Sequence, residues 1–207
     1  LQDKTYLGYD TPYISLNNLK ITTDKLVSLL DFDKIDRAFN LNNIKSILEI
    51  GAGSGRTSEA ILSIKDNISY VICDIPPAIY ISFKRMKSAY PDKAIEYLVD
   101  IQNKDQLNKK IKKNDISFIY PHQMELISKD AFDLTIAIDC FHEMDKKTIA
   151  HYFKNINNFS KNFYFSIWGN SKGNYTKTLF KKTERLNYYK GDYNIPKNWV
   201  NNFEENL

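Results

Sequence analysis

Short apolar runs and amphipathic stretches alternate along most of this chain. The run at 44–50 holds Ile, Leu and Ile and stops at Gly51, the pattern of a strand buried on both faces of a parallel sheet. Residues 55–64 then read as a helix, and 70–73 as a second strand closed by Asp74. Ile79, Phe83, Met86 and Tyr90 follow at spacings of four, three and four, which places them on one helix face. Pro76 and Pro77 suit the first turn of that helix, where a missing N–H costs little. Past Pro91 the pattern predicts a weaker strand at 95–99 and a Lys-rich helix ending near Asn114. Further strands are expected at 116–120, 132–138 and 163–168. The helix behind the second of these is marked by Ile149, Tyr152, Phe153 and Ile156.

The two ends are less periodic. Residues 1–20 carry Tyr6, Tyr9, Tyr13, Gly8 and Pro12 without a sustained period and read as an arm or lid. From Asp24 onward Leu26, Leu29, Leu30 and Phe39 recur at near-helical spacing after capping side chains at 22–24, so one or two helices precede the first strand. Strands alternating with helices imply an α/β fold, a doubly wound and mostly parallel sheet with helices on both faces. The expected organisation is an N-terminal arm and helices at 1–43, on the lid or substrate side, and a cofactor-binding core at 44–207. If the sheet ends in a terminal hairpin, part of it would lie beyond Leu207, and the opening Leu1 in place of Met fits a fragment of a longer product.

Composition narrows the classes. With 207 residues and 43% hydrophobic content the chain can bury one core of domain size. No stretch approaches the roughly 20 apolar residues of a membrane span, and no secretory leader pattern opens the chain, so a cytoplasmic location is the default expectation. A net charge of +4 from 29 basic and 25 acidic residues is spread along the chain. Its densest run, Lys109, Lys110, Lys112 and Lys113, lacks interleaved aromatics, which argues for a solvated helix face and against a nucleic-acid partner. Cys73 and Cys140 fall in or beside buried strands and read as reduced thiols.

In an open parallel sheet, ligands bind beyond the carboxyl ends of the strands. The first such turn is Glu49-Ile50-Gly51-Ala52-Gly53-Ser54-Gly55-Arg56. Gly51 and Gly53 permit backbone angles closed to other residues and keep side chains away from a ligand, while Gly55 lets the helix start pack closely. A dinucleotide fingerprint needs its third glycine three residues after Gly53, where this chain has Arg56. Glu49 would repel a pyrophosphate, but it can meet the cationic amino group of a methionine moiety, directly or through water. Asp74, 19 residues after Gly55, can accept both hydrogen bonds of a ribose diol, a role shared with nicotinamide enzymes.

The segment 47–57 resembles the glycine-rich first motif of class I S-adenosylmethionine-dependent methyltransferases. Segments 74–82, 121–126 (Pro-His-Gln-Met-Glu-Leu) and 141–144 (Phe-His-Glu-Met) resemble those of the bacterial sugar O-methyltransferases. The likeness covers roughly 44–169. It implies a Rossmann-like sheet of seven strands, S-adenosyl-L-methionine as cofactor, and a hydroxyl of a sugar, nucleotide-sugar or glycan as acceptor, as in polysaccharide biosynthesis. By position after the third strand, Gln123 and Met124 would line the adenine pocket, with Met124 equally readable as core cover.

Methyl transfer to a hydroxyl gains from holding the reactants in line and from a positioned general base. The candidates lie after the strand at 132–138. His142, with an ordinary pKa of about 6.5, is the first choice for the base, and its plain alternative is a loop-holding hydrogen bond. Glu143 would orient His142, bind a substrate hydroxyl, or simply face solvent. Asp139 would meet the methionine amino group or the acceptor, and Asp145 is more simply a helix cap. His122 and His151 share no ligand spacing with His142, and no acidic cluster argues for a metal. Three other readings stand beside this one: another small-molecule hydroxyl as acceptor, methylation of nucleic acid or protein, and a catalytically silent scaffold. The second is disfavoured because 138–141 lacks the Pro-Pro-aromatic turn of base methylation.

Overall fold

The apolar runs pair side by side because each is buried on both faces and finds its backbone partners only in neighbouring strands. In the computed structural model, which describes residues 13–16, 19–167, 170–177 and 182–201, the chain order is as follows. A short ribbon of β1 (Tyr13–Leu16) and β2 (Leu19–Thr22) leads into α1 (Thr23–Phe39). Then come β3 (Ser46–Ile50), α2 (Arg56–Ile64), β4 (Ser69–Cys73), α3 (Ala78–Ala89), β5 (Ile95–Tyr97) and α4 (Lys104–Lys113). The chain continues through β6 (Ile116–Ile119), β7 (Leu134–Ile138), α5 (Lys146–Phe159), β8 (Phe163–Ser166), β9 (Asn170–Lys177) and β10 (Lys182–Tyr189).

Six strands form the main sheet in the order β5-β6-β4-β3-β7-β8. Every pairing in it is parallel, with Ile50 opposite both Cys73 and Ala137. The fold is therefore α/β, doubly wound and Rossmann-like. Connections that step toward β5, through α2 and α3, cover one face with Ile61, Leu62, Ile79 and Met86. Those that step toward β8 cover the other, with Leu107 and Ile111 of α4 and Ile149, Phe153 and Ile156 of α5. Right-handed crossovers dictate this division. The chain leaves β3 over one face and β7 over the other, so the crevice at their carboxyl ends is the switch point where such sheets hold ligands.

Several expectations change. The arm expected over 1–20 contains an antiparallel ribbon pairing Tyr13 with Thr22 and Leu16 with Leu19, too short to show a period; residues 1–12, 17 and 18 lie outside the described residues. One α-helix follows, capped by Thr22, whose hydroxyl accepts from the Lys25 N–H, and then a single 3-10 turn over Leu41–Asn43. Pro76 and Pro77 precede α3 instead of opening it. The described residues place six strands in the main sheet where the resemblance implied seven, and β9 and β10 pair only with each other. Their polar sequences gave no strand signal. Trp199, in the tail, folds back onto Phe153 and Phe163 with ring centroids 5.4 and 5.3 Å apart, and its Nε1 donates to Asn157 Oδ1 at 2.6 Å. Among the described residues no helix is long and apolar enough to cross a membrane.

Candidate functional site

The glycine turn leaves β3 at the switch point, and three of its residues have positive φ: Gly51 at 69°, Gly53 at 56° and Gly55 at 76°. Two of them are required by close approach. A Cβ on Gly51 would lie 2.5 Å from the Cβ of Cys140, and one on Gly55 would meet Ser82 at 3.1 Å and Met86 at 3.3 Å. At Gly53 nothing lies within 4 Å of that position, so the turn is open there and closed on either side.

Glu49 points to the face that holds α1 and α2, and only 2% of it is exposed. Its Oε2 accepts from the Tyr70 hydroxyl at 2.9 Å. Burial pushes its carboxyl up to about 7, against the pull of Tyr70, the Arg56 charge and Ser58. Asp74 closes β4 with its carboxylate turned onto backbone: Oδ2 accepts from the Gly53 N–H and Oδ1 from the Ile75 N–H, both at 2.7 Å. Burial raises its pKa and these two donors oppose the rise. In this geometry Asp74 braces the open part of the turn, and each oxygen keeps a second lone pair for a further donor.

Gln123 and Met124 sit on the 3-10 turn over Pro121–Leu126 that follows β6. The Gln123 side chain is buried and its amide is engaged at both ends, accepting from the Tyr120 N–H and donating to the Leu98 carbonyl, each at 2.7 Å. Met124 is buried in the core beside α4 and α5. His122 is the exposed neighbour, its ring stacked on Tyr120 at 5.7 Å with 17° between planes.

Across the crevice, Asp139 follows β7 with φ of 52°, strained for a residue with a side chain, and it is exposed. Its N–H is tied to the Ser166 carbonyl at 3.0 Å, which holds that backbone in place. His142 and Glu143 lie on the 3-10 turn Phe141–Glu143, the first half-buried and the second exposed. Phe141 anchors this turn in the core against Phe153 at 5.4 Å and Phe165 at 6.2 Å. The β9–β10 hairpin packs beside the same turn. Asp145 caps α5, its Oδ1 accepting from the Thr148 N–H at 2.7 Å. Cys140 and Cys73 are both buried and free, and burial pushes both thiols up. Among the described residues no group of three or more His, Cys, Asp or Glu could hold a metal ion.

The structure adds residues that the pattern did not single out. The buried side of α1 is polar, with Lys25, Ser28 and Asp31 facing the turn. Arg56 donates through Nη1 to Asp31 Oδ2 at 2.8 Å and to Ser28 Oγ at 3.3 Å. Glu59 of α2 takes Lys25 at 3.4 Å and Arg85 of α3 at 2.5 Å, and Arg85 also reaches Ser54 Oγ in the turn at 3.3 Å. A polar stripe at three-residue spacing from Lys25 was the signal available in the sequence.

No family model matches the chain, and no curated protein matches it. Solved structures do. The plantazolicin methyltransferase BpumL, in complex with a desmethyl analogue and SAH, is 17% identical over 69% of this chain and 48% of that one, with a TM-score of 0.45. The mitomycin 7-O-methyltransferase MmcR is 15% identical over 65% of this chain and 33% of that one, with a TM-score of 0.43. Human N-acetylserotonin methyltransferase in complex with SAM is 15% identical over 64% of this chain and 31% of that one, with a TM-score of 0.40. This chain thus spans about a third to a half of the length of each.

Proposed function

We propose that this chain is an S-adenosylmethionine-dependent O-methyltransferase whose acceptor is a hydroxyl of a sugar, nucleotide-sugar or glycan. The observation that carries the donor is the turn at the switch point: open at Gly53, closed by packing at Gly51 and Gly55, and flanked by the carboxylates of Glu49 and Asp74. Those residues fit a ligand with a ribose at one end and a cationic amino-acid group at the other. Glu49, Gly51, Gly53, Gly55 and Asp74 would hold it, with Gln123 and Met124 walling the far side from beneath the 3-10 turn. The saccharide acceptor is supported by the resemblance of segments 74–82, 121–126 and 141–144, and a non-saccharide small-molecule hydroxyl fits the same residues.

When bound, the sulfonium of the donor supplies an electrophilic methyl group. The chain's part is to hold the acceptor oxygen in line with it and to take the hydroxyl proton as the C–O bond forms. His142 Nε2 or Nδ1 is the proposed acceptor of that proton, Glu143 its orienting neighbour, and Asp139 a ligand for the acceptor or the amino group. The hairpin beside the His142 turn would exclude water.

A second reading, a methyltransferase-like scaffold without turnover, is favoured by one observation: Asp74 and Gln123 both spend their polar atoms on backbone. Titration calorimetry with S-adenosylhomocysteine tests the donor site, and turnover on an acceptor separates the enzyme from the silent scaffold. A mass increase of one methyl group across a panel of activated sugars, glycans and other alcohols then identifies the acceptor. His142→Ala should lower turnover by about 10²- to 10⁴-fold and leave affinity for S-adenosylhomocysteine unchanged. Normal turnover in that variant removes the base assignment.

A further inference from the structure

Arg56 occupies an unusual electrostatic position. It opens α2 directly after Gly55, at the carboxyl end of β3, with its side chain 23% exposed. Glu49 feels its charge, and so does Asp31, which also feels Asp139 from the far side of the crevice. The guanidinium is thus paired with Asp31 of α1 and acts on the buried Glu49 of β3, while Asp139 at the end of β7 acts on Asp31. Its Nη1 hydrogens go to Asp31 and Ser28, which fix the plane of the group. Nε and Nη2 have no acceptor among the described residues, so the side-on fork that matches a carboxylate in two parallel hydrogen bonds is unused.

We propose that Arg56 takes the carboxylate of the donor's amino-acid end through this fork, with Asp31 and Ser28 of α1 as its positioning residues. The inference rests on the S-adenosylmethionine reading. An amino-acid end is a zwitterion, and a pocket that offered only Glu49 and Asp139 would attract its ammonium while repelling its carboxylate. Arg56 supplies the missing sign beside the residues that take the ammonium. It also explains why α1 turns a polar stripe inward: a guanidinium pinned on one edge has lost its rotamer freedom before the ligand arrives, which lowers the cost of binding. The third-glycine position of a dinucleotide turn is thus filled by a residue suited to a carboxylate.

The rival explanation is that Arg56 only ties α1 to α2. The two differ in what they predict for a ligand lacking the carboxylate. Calorimetry compares S-adenosylmethionine with its decarboxylated form, which keeps the nucleoside, the sulfonium and the amine. For the unaltered protein, loss of the carboxylate should weaken binding about 10- to 100-fold, the range of a charge-assisted pair. Arg56→Gln should lose a similar factor toward S-adenosylmethionine and change less than about threefold toward the decarboxylated compound, which has no such pair to lose. Because Arg56→Gln leaves Asp31 without its partner, the double variant Arg56→Gln with Asp31→Asn is measured alongside, and its thermal unfolding shows that the fold is kept. Equal loss toward both ligands, or loss toward neither, overturns the assignment and leaves Arg56 a structural tie. An unaltered protein that binds neither ligand overturns the donor reading, and this inference falls with it.

Discussion

Helices α1 and α5 cover opposite faces of one sheet, yet the half of α1 nearest the glycine turn is held by the opposite kind of side chain from α5. α5 buries Ile149, Tyr152, Phe153, Ile156 and Phe159. α1 buries Lys25, Ser28, Asp31 and Ile35, while Val27 and Leu30 of the same helix are exposed. Apolar burial is non-directional and grows with area, so α5 is fixed strongly but loosely in rotation. Matched charges in a dry setting add little net energy, because desolvation offsets attraction, but they fail badly when the match is broken. α1 is thus set in register against Arg56 and Glu59, both in the first turn of α2 after the glycine turn. The helix that meets the glycine turn is positioned there by charge, and the helix that anchors the His142 turn by surface area.

The comparison breaks first at Glu59. Glu59→Ala would leave Lys25 and Arg85 buried without their shared partner, at a cost of about 3–5 kcal/mol in urea denaturation. A loss below about 1 kcal/mol would mean that water already screens the cluster. Ile156→Ala on α5 tests the other side. It removes a fully buried side chain from an apolar face and should cost about 2–5 kcal/mol, with the exact value set by how far Phe132 and the α5 core close in.

The contrast also accounts for what could be read from the sequence. β3, β4, β6 and β7 were legible because a strand buried on both faces is a continuous apolar run, and α5 because its apolar stripe faces inward. α1 was legible as a helix but not in orientation, since taking Leu26, Leu29 and Leu30 as the inward face assumes that the neighbour is apolar. Its neighbour is Arg56 and Glu59, 25 or more residues away in the chain. At the candidate site, Glu49, Asp74 and the glycines were singled out by residue type and by their place at the strand ends. Tyr70 as the partner of Glu49, and the backbone bonds that occupy Asp74 and Gln123, depend on strand register and side-chain direction, which no one-dimensional pattern carries. The β1–β2 ribbon and the β9–β10 hairpin are short or polar, so neither offered an alternation to detect.

Glu49 sharpens the comparison through pH. Its folded pKa is raised to about 7 from an ordinary value near 4.5, so the native state holds a proton that the unfolded chain releases. Stability from this group is complete below about pH 4.5 and is lost as pH rises through about 7. Glu49→Gln keeps a hydrogen-bonding partner for Tyr70 and removes the titration. The variant should match the parent at pH 4.5 and exceed it at pH 8, by up to about 3 kcal/mol, since each tenfold difference in proton affinity between folded and unfolded chain is worth roughly 1.4 kcal/mol. Denaturation midpoints that keep a constant gap between those pH values would show that Glu49 does not titrate in this window. The same change should make affinity for a cationic donor less dependent on pH across that range.

The smallest effect is the most diagnostic. Leu30 is apolar and near the middle of α1, so a reading from sequence makes it a core residue whose loss would cost as much as that of Ile156. In the structure it is 61% exposed, on the side opposite Lys25, Ser28 and Asp31. Leu30→Ala removes little buried area and substitutes a better helix former, so stability should stay within about 0.5 kcal/mol, a shift of under about 2 °C in melting temperature for a chain of this size. A shift several times larger would mean that the apolar side of α1 is covered and that the helix is held by area after all. A negligible shift, beside a large one at Glu59, isolates charge matching as what sets this helix over the turn.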